Sequence, residues 1–183
     1  MAVSVSRHMR FFYGWVIVAF GALVVFGSAP GQSFVFSVFV DDLRAETGLT
    51  RTGISTLYAF GTVASAAMVF MISRLAARVG PRYALVVAGV ALALACFAMY
   101  GAGSAVVLLV VFAALRALGQ GSLTINTTVM TAQWFVRKRG RAMALMGLGY
   151  PLSIGILPPL AKFLVDSLGW QEAYAVLGVI VLV

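Results

Sequence analysis

Charge is absent from long stretches of this sequence, and those gaps restrict what the chain can fold into. From Phe11 to Val40 there are 30 residues without an Asp, Glu, Lys or Arg, and Thr52 to Ser73 is uncharged for 22. Tyr83 to Val136 carries one charge, Arg116, and Ala142 to Ala161 carries none. A helix needs about 20 apolar residues to cross the hydrocarbon of a bilayer. The segments lack the strict alternation of an outer-membrane barrel strand and are too long to be one. Composition agrees, because 62% of the 183 residues are hydrophobic and 10% charged. Soluble domains carry about a quarter charged residues, so this chain belongs in lipid. Arg7 and Arg10 ahead of the first run imitate a signal peptide, but the run far exceeds an apolar core of about 7–15 residues. It is expected to remain as a span.

The charges and a Gly101-Ala102-Gly103-Ser104 hairpin signal divide the chain. Spans are expected at about 11–40, 52–73, 83–100, 105–133, 142–165 and 171–183. The last is incomplete, with 11 apolar residues from Ala173 to Val183. The expected fold is therefore all-α, a polytopic membrane helix bundle of five full spans and a truncated sixth. Lipid offers no partner to a free backbone group, which also demands helices. Gly27 with Gly31, and Gly61 with Ser65, have the four-residue spacing that lets helix backbones touch. Pro30 is expected to break the first span, and Pro151, Pro158 and Pro159 to interrupt the fifth. Such breaks fit helices lining an aqueous path, or plain kinks in a bundle.

Six alternating spans sort the charges. One side receives Arg7, Arg10, Arg74, Arg78, Arg82, Arg137, Lys138, Arg139 and Arg141 and no acid. The other receives Arg44, Arg51 and Lys162 against Asp41, Asp42, Glu46, Asp166 and Glu172. With Arg116 these account for the whole net charge of +8. The positive-inside rule then places the N-terminus in the cytoplasm of a multi-pass protein of the plasma or inner membrane. This asymmetry explains the basic balance better than nucleic acid does, since no basic face is interleaved with aromatics.

Enzyme chemistry has little to work with. Cys96 stands alone in an apolar run and makes neither disulfide nor metal site. His8 is the only histidine. No phosphate loop ending in Gly-Lys-Ser/Thr is present, and the acids all fall on one side of the membrane. No metal or cofactor is expected. Gly147 and Gly149 read as close helix packing, and the glycosylation triplet at Asn126 falls inside a span, where it is a chance match.

The stretch Ser73-Arg74-Leu75-Ala76-Ala77-Arg78-Val79-Gly80-Pro81-Arg82 resembles the signature loop of the major facilitator superfamily, G-x-x-x-D-R-x-G-x-R between helices two and three. Arg78, Gly80 and Arg82 match; Ser73 replaces the first glycine and Ala77 the acid. In that family the acid helps latch the loop to the other half of the protein, so Ala77 removes the usual latch. Arg116 followed by Gly119, Gln120 and Gly121 is similar to the family's membrane-embedded arginine. Tyr13-Gly14-Trp15, Gln133-Trp134-Phe135 leading to Arg139-Gly140-Arg141, and Gly169-Trp170 resemble its monocarboxylate and oxalate–formate branch. The resemblance implies the N-terminal six-helix half of a 12-helix facilitator, whose partner is a C-terminal half. It also implies a secondary transporter of a small organic anion, driven by a proton gradient or by exchange.

Arg116 stands out on physical grounds alone. Near the bilayer centre an arginine costs about 2.5–3.5 kcal/mol on insertion scales, so it should face protein or water. Gln120 and Thr124 follow at helical steps, with Thr127 and Thr128 beyond, forming a polar stripe. Two readings compete: an anion or coupling site, and a structural arginine bonded to carbonyls at the Pro30 break. Ser28, Gln32 and Ser33 near Pro30, with Tyr58, Asn126, Tyr150 and Ser153 in other spans, either line a cavity or bond neighbouring helices. Arg78 and Arg82 either gate or simply orient the chain. Rival functions are a non-transporting membrane subunit acting through helix assembly and an exporter of hydrophobic compounds on the same fold.

Overall fold

The computed structural model describes residues 12–182, so Arg7, His8 and Arg10 lie outside it, as does Val183. The described residues form helices joined by short links. The first pass is split. Helix α1 (Gly14–Gly27) meets a 3-10 turn at Ala29–Gly31, and α2 (Ser33–Thr47) continues from an extended Gln32. Pro30 has no amide hydrogen to give the carbonyl of Phe26 four residues back. The hydroxyl of Ser153 donates to that carbonyl from another helix, at 3.2 Å.

Helix α2 runs past the expected end at residue 40 into Asp41, Asp42, Arg44 and Glu46. Its inner face still buries Leu43 completely. The second pass, α3 (Arg51–Val79), starts at a cap in which Thr50 Oγ1 accepts from the Gly53 amide at 3.1 Å. It runs six residues beyond Ser73, so most of the signature stretch is helix rather than loop. One residue, Gly80 at φ +90°, turns the chain into α4 (Pro81–Ala98). Only glycine adopts that φ without strain, and Pro81 then occupies a first-turn position where no amide is needed.

The fourth pass is α5 (Ala105–Leu115), a π-helical segment at Arg116–Leu123, and α6 (Thr124–Trp134). The fifth is α7 (Arg139–Gly147) and α8 (Gly149–Leu168), followed by α9 (Trp170–Leu182). Here the expected proline interruptions need correcting. Helix α8 continues through Pro158 and Pro159. A proline φ is itself helical, and Leu157, Ala161, Leu164 and Val165 hold the helix in the core. Pro151 sits in the first turn, where amides lack helical partners anyway; the chain adjusts just before it, at Leu148.

Arg51–Val79, Pro81–Gly101, Ala105–Trp134 and Arg139–Leu168 are each long and apolar enough to cross a membrane; Gly14–Gly27 and Trp170–Leu182 are shorter apolar helices. Phe39, Leu43, Leu92, Phe112, Tyr174 and Leu177 are buried in the centre, while Phe60, Val63, Phe70, Val86, Val106 and Phe163 lie exposed. An apolar core inside an apolar exterior is the arrangement a lipid solvent permits. The molecule is an all-α membrane helix bundle.

Small residues fix two crossings. A Cβ on Gly119 would lie 2.7 Å from the Ser28 carbonyl oxygen and 2.9 Å from Gly31 Cα, so the 3-10 turn and the π segment touch backbone to backbone. A Cβ on Gly61 would meet Phe112 Cβ at 3.1 Å. The expected Gly27–Gly31 pairing is halved, because Gly27 faces open space. Gly149 does pack on the backbone of Ala22, whereas Gly147 meets nothing.

Candidate functional site

The contact between the two broken passes brings one charge inside. Arg116 opens the π segment, and π segments often occur at functional positions because one turn is locally widened. Its Nη1 donates to the Tyr58 hydroxyl from α3 and to Ser33 Oγ from α2, the latter at 3.3 Å. The guanidinium also stands over the Tyr58 ring, 4.8 Å from its centroid. That ring is held in place: Phe36 stacks on it at 3.9 Å and 7°, and Phe112 closes edge-on at 5.8 Å.

Neither hydroxyl carries charge, and among the described residues no carboxylate reaches Arg116. Among the described residues the ion pairs are Arg44–Asp41 at 3.2 Å and Lys162–Asp166 at 2.6 Å, both exposed. Arg116 Nε is buried without a hydrogen-bond partner. A cavity of about 10 Å³ adjoins it, lined by Pro30, Gln32, Tyr58, Arg116 and Tyr174 among others. That is room for one water at most. The site is a positive charge satisfied in part, fixed between three helices and beside a fully buried tyrosine of α9.

The other sequence candidates separate. Gln32 lines the cavity and donates to Ser28 Oγ at 3.4 Å, while Ser28 donates to the Val25 carbonyl at 2.7 Å. Gln120 is exposed. Thr124 donates to the Gly119 carbonyl five residues back at 3.4 Å, a bond the π geometry allows. Thr127 turns inward, fully buried on the Leu123 carbonyl. Asn126 is spent on Ser122, at 2.8 Å to its carbonyl and 3.2 Å to its hydroxyl. Tyr150 is exposed and meets Phe34 edge-on at 5.8 Å. Arg116 bonds no carbonyl at the Pro30 break; Ser153 occupies that role.

Ser73 and Arg78 lie on the last turns of α3, with Arg78 exposed. Arg82 stands over the Trp134 ring at 5.8 Å. Tyr13 meets Trp134 at 5.8 Å, and Trp15 meets Phe135 at 5.1 Å, so the two aromatic motifs noted in the sequence come together. Tyr174 was missed by sequence reasoning; a tyrosine in an apolar run gives no hint that it will adjoin an arginine 58 residues earlier in the chain.

The Major Facilitator Superfamily matches residues 21–183. The chain belongs to that superfamily. This facilitator chain is 30% identical over 145 residues to the probable sulfoacetate transporter SauU of Cupriavidus necator, covering 79% of the chain and 34% of the relative. It is 26% identical over 174 residues to monocarboxylate transporter 6 of Mus musculus, covering 93% of the chain and 36% of the relative. The facilitator chain thus spans about a third of the length of the curated relatives it matches. Both relatives are named as transporters.

Proposed function

We propose that the chain is the N-terminal half of a secondary transporter for a small organic anion, a carboxylate or a sulfonate, and that Arg116 receives the anionic group. The observation that carries this is the guanidinium held mid-bundle by two neutral hydroxyls with no carboxylate to neutralise it. A carboxylate meets the guanidinium with opposite charge and two parallel hydrogen bonds, neither of which a neutral hydroxyl offers, so an incoming carboxylate displaces the hydroxyls favourably. Two relatives whose names specify small organic anions support the same substrate class. A second six-helix half would close the site at the membrane midplane, with rocking between halves giving alternate access. Coupling to protons or to exchange of a second anion supplies the driving force.

The test is uptake of a labelled monocarboxylate and of labelled sulfoacetate by the full-length protein in proteoliposomes. Arg116→Ala should lower uptake at least about a hundredfold at normal expression, the worth of two charge-assisted hydrogen bonds. Arg116→Lys should retain part of it, because the charge stays and the planar fork is lost. Undiminished uptake by Arg116→Ala removes Arg116 from the mechanism. Residues 1–183 alone should transport nothing, and uptake by them would overturn the half-transporter reading.

A further inference from the structure

The two ends of the bundle treat their bases differently. At the end holding Asp41, Asp42, Glu46, Asp166 and Glu172, two of the three bases, Arg44 and Lys162, have carboxylate partners, and Arg51 has none among the described residues. At the other end lie Arg74, Arg78, Arg82, Arg137, Lys138, Arg139 and Arg141, all exposed, and no acid of the sequence falls there. Orientation in the membrane needs positive charge at this end. It does not need the charge to be tethered, and here part of it is. Arg82, at the start of α4, stands over Trp134 at the end of α6. Arg139, at the start of α7, is tied by Nε to the Phe135 carbonyl at 3.1 Å. The dipeptide Trp134-Phe135 therefore holds one arginine from each basic link. The dipeptide is itself braced by Tyr13 and Trp15, with Phe12 edge-on to Phe135 at 5.3 Å.

We propose that Arg82 and Arg139, each tethered to the Trp134-Phe135 dipeptide at the basic end of the bundle, form a headgroup site for an anionic glycerophospholipid. Their guanidiniums donate to the phosphodiester, with Arg137, Lys138 and Arg141 adding long-range attraction. The position suits a lipid, because the site lies where apolar helices end and tryptophan and tyrosine favour the interface. An apolar flank runs beside the bases: Val136 is 84% exposed and Tyr83 73%. Acyl chains can cover that surface and free phosphate cannot. A net-negative headgroup is selected over a zwitterionic one, since a choline cation would sit among bases that no carboxylate offsets. The proposal stands apart from the transport reading and survives if that reading fails.

The experiment is native mass spectrometry of the full-length protein, released from detergent containing equal amounts of phosphatidylglycerol and phosphatidylcholine. Phosphatidylglycerol should be retained in about tenfold excess or more, as expected for a few bases near one anionic group. Arg82→Gln with Arg139→Gln should abolish most of that excess. Arg74→Gln with Arg78→Gln removes the same charge from the same end and should leave most of it. Equal losses in the two pairs would mean diffuse charge and overturn the site. Inorganic phosphate at millimolar concentration should not displace the lipid; displacement would assign the site to a soluble anion instead. If the first pair fails to fold, wild-type tryptophan fluorescence decides. Brominated phosphatidylglycerol should quench it more than brominated phosphatidylcholine at equal mole fraction, and equal quenching overturns the proposal.

Discussion

At the residue scale, Arg116 is defined by how poorly it is satisfied. A charge in a bundle interior ordinarily pairs with an opposite charge or collects several carbonyls. Arg116 has two hydroxyls and an aromatic face instead. Of its two hydroxyl partners, Tyr58 is half-buried and braced by Phe36 and Phe112, whereas Ser33 is exposed. The braced partner matters more, because the Ser33 bond, at 3.3 Å, lies beyond the usual hydrogen-bond range and contributes little. Tyr58→Phe keeps the ring and removes the hydroxyl. It should destabilise the bundle by about 1–2 kcal/mol, near the upper end of polar contacts measured between membrane helices. Ser33→Ala should cost under about 0.5 kcal/mol by the same reasoning. Reversible unfolding in mixed micelles ranks the two, and an equal or inverted ranking would show that Tyr58 does not anchor the guanidinium.

At the scale of elements, the site exists because two passes are broken at the same level and their breaks touch. The 3-10 turn at Ala29–Gly31 and the π segment at Arg116–Leu123 approach until Gly119 and Gly31 leave no room for a side chain. Gly119→Ala should therefore cost about 1–3 kcal/mol, the range for overpacking a well-filled interior. Gly27→Ala places its methyl in open space and should stabilise α1 by up to about 1 kcal/mol through helix propensity. Thermal unfolding of both variants checks the pair, and a mild Gly119→Ala would mean the passes can part freely. The Pro30 break has its own support. Ser153→Ala strands the Phe26 carbonyl and should cost about 1 kcal/mol, but distinctly less when Pro30→Ala restores an amide donor to that carbonyl. Additive losses in the double variant would show that Ser153 does not serve the break.

At the scale of the whole molecule, the spacing of charge made the helical membrane class legible, because lipid permits so few backbone arrangements. The ends of α2 and α3 were not legible, since polar residues continue a helix outside the hydrocarbon as readily as they end one. Within the site, Arg116 announced itself by its charge. Tyr58 and Ser33 were visible only as polar residues within spans, and Tyr174 not at all, because pairing across helices depends on packing that no local pattern encodes. The π segment was equally hidden; four-residue spacing from Arg116 to Thr124 reads as ordinary helix, yet Thr124 bonds the carbonyl five residues back. The charge asymmetry between the two ends carries one further consequence. If the end bearing seven exposed bases faces the cytoplasm, as the positive-inside rule requires, a cysteine placed there is shielded from reagents that cannot cross the membrane. Lys138→Cys should resist an impermeant maleimide in intact cells and react once the membrane is opened, while Ala45→Cys, exposed at the acidic end, should react in both. Native Cys96 is only 1% exposed and adds little background. The reverse pattern would invert the molecule, and it would put the proposed lipid site in the opposite leaflet, where phosphatidylglycerol would have to be supplied from the outer face.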